Sequence, residues 1–65
     1  MKKLLCQILA GRDLEVGEWT IYVWSDGSIG ARRQNGLLAP EAVAGKRPTV
    51  AGLQRLLKWI DAVES

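Results

Sequence analysis

Residues 18–33 constrain the fold more than any other stretch of the chain. Trp19-Thr20-Ile21-Tyr22-Val23-Trp24 is an unbroken run of β-branched and aromatic side chains, the types that fit a pleated surface. Ser25-Asp26-Gly27 follows as a turn signal, and Ile29 to Arg33 reads as a return strand. The stretch from Glu18 to Arg33 is therefore a β-hairpin, and its loop length decides which side chains face inward. A two-residue Asp26-Gly27 loop would set Trp24 opposite Ile29. A three-residue Ser25-Asp26-Gly27 loop places Gly27 in the left-handed region, which glycine enters at no steric cost. It pairs Trp24 with Ser28, Val23 with Ile29, Tyr22 with Gly30, Ile21 with Ala31 and Thr20 with Arg32. The longer loop separates the faces better. One face becomes Trp19, Ile21, Val23, Ile29 and Ala31; the other becomes Thr20, Tyr22, Trp24, Ser28, Gly30 and Arg32. A slip of one residue would exchange them.

The rest of the chain must cover the apolar face with little material. With 65 residues there is one domain, covering residues 1–65, and such a chain buries only about 60% of its unfolded surface. Its one cysteine, Cys6, excludes an intrachain disulfide, and the absence of histidine excludes the usual zinc sites. Cys6 lies in an apolar run and reads as a small buried hydrophobe. A core this small, in a chain with 48% hydrophobic residues, points to self-association, most simply as a symmetric homodimer, or to a partner.

Lys3 to Ala10 is apolar on both alternating sets, and its length and the Gly11 stop favour a strand over a short helix. Such a strand would need cover on both faces. Gly11 to Gly17 is a polar connection, with Leu14 to Val16 as a brief strand. Asn35-Gly36 marks a turn, Pro40 opens a single helical turn through Ala44, and Gly45 ends it, with Leu37, Leu38 and Val43 holding the segment to the core. Thr49 to Val63 is the clearest helix. Thr49 is its N-cap, and Val50, Leu53, Leu56, Leu57, Ile60 and Val63 make one stripe, with Leu53, Leu56, Leu57 and Ile60 buried on the sheet. Gly52 weakens its first turn, and Trp59, near the edge of the stripe, covers the rim of the core. The fold class is α+β: three antiparallel strands, four if Leu14–Val16 forms one, with a C-terminal helix packed on a face.

Nothing in the chain has the spacing of a catalytic site: there is no nucleophile elbow, phosphate-binding glycine loop or metal-ligand pattern. The expectation is a non-enzymatic protein without a cofactor. Asp13, Glu15 and Glu18 form the only local carboxylate cluster and read as solvated turn charges. No apolar run reaches the ~18 residues of a membrane span. Lys2-Lys3 ahead of Leu4–Ala10 looks superficially like a signal peptide but lacks a cleavage site, so the reading is cytoplasmic and without a membrane partner.

Binding is the remaining class. Tyr22 and Trp24 share the outer hairpin face with Gly30 as open space, and Arg32, Arg33, Lys46 and Arg47 supply cations nearby. Aromatics on a sheet stack bases while cations meet phosphates, and a net charge of +2 is compatible with that. A three-stranded sheet backed by a helix resembles the sheet-type DNA-binding domains at the N-termini of some phage integrases and in a family of plant DNA-binding proteins. Leu14-Glu15-Val16-Gly17-Glu18 leading into Ile21 and Val23 is similar to the first hairpin of the carbon storage regulator family of RNA-binding proteins. Ala39-Pro40 followed by Val43-Ala44 is similar to a later segment of that family, whose helix is shorter than the one here. The aromatic and basic groups of the outer hairpin face point to a small nucleic-acid-binding regulator using Tyr22, Trp24, Arg32, Arg33, Lys46 and Arg47. The alternative is a protein-binding inhibitor or accessory factor, of the anti-defence kind that phages and other mobile elements encode, blocking a protein target with exposed Trp and Leu surface as hot spots.

Overall fold

The computed structural model describes all 65 residues. The elements run Lys2–Leu9 (α1), Leu14–Val16 (β1), Trp19–Val23 (β2), Ile29–Arg33 (β3), Glu41–Ala44 (α2) and Val50–Glu64 (α3). The strands form one antiparallel sheet in the order β1-β2-β3. The fold is α+β, with α3 packed against the sheet.

The β2–β3 register is that of the three-residue loop. Val23 pairs with Ile29, Tyr22 with Gly30, Ile21 with Ala31 and Thr20 with Arg32. Trp24 N–H donates to Ser28 O at 2.7 Å, and Gly27 has φ 91°. Trp19, Ile21, Ile29 and Ala31 consequently point inward and are buried, while Val23 is half-buried. They meet Leu5 and Ile8 of α1, Ala44 of α2, and Leu53, Leu56 and Ile60 of α3 in a single core. Trp59 covers the rim as its position implied, and its ring meets Trp19 edge to face at 5.2 Å and 85°. Trp19 Nε1 is buried there without a hydrogen-bond acceptor.

The N-terminal segment is a helix, not the strand its alternation favoured. The run contains Leu, Cys, Gln and Lys but only one β-branched residue, Ile8, so intrinsic propensity leans to helix. Leu5 and Ile8, three apart, share the buried face with Leu4 beside them. Gly11 ends this helix: it sits at φ 92° while its N–H donates to Ile8 O and the Arg12 N–H donates to Gln7 O, the paired bonds of a Schellman cap. Cys6 falls on the opposite side of α1 and is exposed, which corrects its reading as a core residue. With Lys2–Leu9 helical, no strand is apolar on both faces, and that ground for self-association is gone.

Leu37 and Leu38 also depart from expectation. Both are about half exposed, at 50% and 52%, because Leu37–Ala39 runs along the outer edge of β3 rather than over the core. Only Val43 of the three anchors packs inward. The single turn from Glu41 to Ala44 and its end at Gly45 (φ 83°) fall where Pro40 and Gly45 placed them.

Thr49 caps α3 through Oγ1, which accepts the Gly52 N–H at 2.9 Å. Leu53, Leu56 and Ile60 are fully buried, whereas Leu57 is only half-buried. Gly52 is more than a weak helix former. A Cβ there would collide with the Ala44 carbonyl oxygen, so glycine is what lets α3 approach α2 so closely. Arg55 secures the same junction, its Nε donating to Val43 O and its Nη2 to Ala44 O.

Two substitutions test this packing by urea or thermal denaturation. Leu56→Ala is expected to cost ~2–5 kcal/mol, and Leu57→Ala clearly less. Gly52→Ala is expected to destabilise by ~1–3 kcal/mol through the forced backbone shift, although helix propensity alone would make it stabilising.

Candidate functional site on the outer sheet face

The helices cover the inner face of the sheet and leave the other to solvent. The register places Glu15, Thr20, Arg32 and Leu38 in one row across that outer face, Tyr22 and Gly30 in the next, and Trp24 and Ser28 at the turn. Tyr22 and Trp24 pack together with centroids 5.1 Å apart at 61°. The Arg32 guanidinium lies over the Tyr22 ring, 5.7 Å from its centroid, within cation–π range. Trp24, Tyr22 and Arg32 thus form a contiguous packed series along the hairpin, edge to face between the rings and face-on at the guanidinium.

Gly30 is not open space. A Cβ there would collide with Trp24 Nε1, so the indole lies across the Gly30 backbone and is braced by it. Trp24 is nonetheless 46% exposed. Beside it, a cavity of about 390 Å³ opens between Trp24 and Gly30 on one side and Leu38, Pro40, Glu41 and Ala44 on the other. Apart from Tyr22, its ionisable lining groups are Asp26 and Glu41, both acidic; no lysine or arginine lines it.

The turn holds Asp26 firmly. Its Oδ1 accepts from the Ser28 N–H at 3.0 Å and from Ser28 Oγ at 2.7 Å. These two bonds, the backbone one foremost, hold the Asp26 carboxyl below its ordinary value of 3.8. Ser28 itself is buried, the one polar residue in the chain's interior.

The six residues expected to act together divide into three groups. Tyr22, Trp24 and Arg32 meet on the outer face. Arg33 sits on the inner-face parity at the rim of the sheet, ion-paired with Glu18 at the β1–β2 turn and, at 3.3 Å, with Glu64 at the end of α3. It ties the sheet to the last turn of α3. Lys46 and Arg47 are exposed on the link between α2 and α3 and do not line the cavity. The sequence reading missed Leu38, Asp26 and Glu41. Leu38 joins the outer face through its bridge to Arg32, and the Asn35-Gly36 turn signal was enough to suggest a further pairing there. Asp13, Glu15 and Glu18 do not gather; no group of three or more acidic, cysteine or histidine side chains could hold a metal ion. No helix is long and apolar enough to cross a membrane.

Comparison with protein-family models, curated proteins and solved structures finds no match to this chain. The functional reading therefore rests on the residues themselves.

The Asp26–Ser28 lock has a measurable pH signature. A carboxyl with a folded pKa below its unfolded one adds stability above the unfolded value, and that stability is lost as pH falls through the folded value. In an NMR carboxyl titration, Asp26 is expected to titrate below the usual aspartate range. Ser28→Ala should raise its midpoint only part of the way back, since the backbone N–H remains. An unchanged midpoint in Ser28→Ala would show that the hydroxyl bond is not formed in solution.

Proposed function

We propose that this is a non-enzymatic protein-binding module whose contact surface is the outer sheet face around Tyr22, Trp24 and Leu38. The observation that carries the reading is the composition of that face. Large half-exposed side chains stand together, the only charged groups lining the neighbouring, largely apolar cavity are the carboxylates of Asp26 and Glu41, and the one cation in the row, Arg32, lies over the Tyr22 ring. Protein interfaces favour Trp, Tyr and Arg in just such clusters. A nucleic-acid surface favours a dense field of cations that meets phosphates. Here Asp26 and Glu41 oppose that field, Arg33 is engaged by Glu18 and Glu64, and Lys46 and Arg47 lie off the cavity.

The test is capture from lysate by the wild-type protein with and without nuclease, alongside titration with DNA and RNA oligonucleotides at two salt concentrations. A nuclease-resistant, salt-tolerant protein partner is expected. Trp24→Ala should weaken its binding by ~2 kcal/mol or more, roughly 30-fold. It should lower folding stability by only ~1 kcal/mol, the worth of an aromatic pair. Oligonucleotide binding that falls steeply with salt, with a slope reduced by about one unit in Arg32→Ala, would overturn this reading and favour the nucleic-acid regulator instead.

A further inference from the structure

The floor of the cavity is an unpaired stretch of sheet edge. Trp24 N–H donates to Ser28 O, so the backbone groups of Ser28, Gly30 and Arg32 face β2, and those of Ile29, Ala31 and Arg33 face outward. Leu37–Ala39 pairs with the far half of that edge: Arg33 N–H donates to Leu37 O at 2.8 Å, and Ala39 N–H donates to Ala31 O at 3.0 Å. The pairing stops at Pro40, which has no N–H and opens α2. The outward N–H and C=O of Ile29 and the N–H of Ala31 consequently have no backbone partner. Both residues line the cavity, with Trp24 above and Ala44 and Leu56 below. Ile29 and Ala31 are 4% and 2% exposed, and buried backbone groups of this kind normally find a partner.

We propose that this edge takes an extended, basic segment of a partner protein by β-strand addition beside Ser28–Ala31. The proposal rests on the reading of this surface as a protein-binding one and names the chemistry of the partner. Three features select that occupant. The edge offers a donor, an acceptor and a second donor in strand spacing, which is the pattern an added strand satisfies. At ~3.3 Å per residue, Ser28 to Ala31 accommodates about four residues, whose side chains would alternate between Trp24 on one side and Ala44 and Leu56 on the other. Asp26 and Glu41 are the charged groups of the cavity, so Lys or Arg in the segment is matched and Asp or Glu is repelled.

The experiment selects a display library of random short peptides against the wild-type protein and maps the enriched peptides by NMR on isotope-labelled protein. Enriched peptides are expected to carry Lys or Arg, to shift the amide resonances of Ile29 and Ala31, and to slow their hydrogen exchange. Backbone N-methylation of the bound peptide should abolish binding, and Glu41→Gln, at an exposed position outside the core, should weaken it several-fold. Enrichment of acidic peptides, shifts elsewhere on the molecule, or no enrichment would each overturn the proposal. So would concentration-dependent protection of Ile29 and Ala31 in the protein alone, which would assign the edge to a second copy of this chain. If Trp24-dependent capture of a protein persists while no peptide touches Ile29 and Ala31, the edge assignment fails and the wider surface reading stands.

Discussion

Asp26 accepts hydrogen bonds from both the N–H and the hydroxyl of Ser28, and Gly27 takes the left-handed conformation between them. Together they close the hairpin at three residues. In a sheet this small the consequence reaches every other contact. Loop length sets register, and register sets which of two very different sets of side chains the helices must cover. With Ile21 opposite Ala31 and Val23 opposite Ile29, the buried set is Trp19, Ile21, Ile29 and Ala31. The set left outside is Tyr22, Trp24 and Arg32.

The helices follow from that choice. α1 and α3 converge on the inner face, and α2 comes close enough to α3 that Gly52 is the residue its neighbour's carbonyl tolerates. Arg33 fastens the rim through Glu18 and Glu64, a contribution of modest size because the carboxylates are exposed. No helix crosses the outer face, so aromatic surface there remains available. Pro40 leads the chain away from β3 before the edge is fully paired, which leaves unpaired backbone next to the exposed indole of Trp24. The exposed aromatic face and the unpaired stretch of the β3 edge thus arise from two local features, a three-residue turn and a proline.

The parts of this fold that were legible in the sequence are those fixed by local chemistry. Ser25-Asp26-Gly27 determines the hairpin, Thr49 and the leucine stripe determine α3, and Pro40 and Gly45 bracket the single turn between them. The parts that were not legible depend on what lies opposite. Leu4, Leu5 and Ile8 suit either a strand or a short helix, and Gly11 can stop both; only packing against Trp19 and α3 decides. Leu37 and Leu38 read as core by their apolarity alone, although the Asn35-Gly36 turn just before them is a local signal for a further pairing along β3. Arg33 reads as a free cation until the end of α3 is brought beside it. The candidate site was half visible: Tyr22, Trp24 and Arg32 come together because they share one hairpin register, Asp26 stands beside them in the same turn, and Glu41 joins them only through tertiary structure.

Cross-strand Overhauser contacts between Hα protons test the central claim most directly, since such protons approach closely only in non-hydrogen-bonded antiparallel pairs. The three-residue loop predicts strong contacts between Ile21 and Ala31 and between Val23 and Ile29, with Trp24 near Ser28. Contacts between Trp24 and Ile29 and between Tyr22 and Ala31 would mean a two-residue loop. That result would turn Tyr22 and Trp24 into the core and contradict the account.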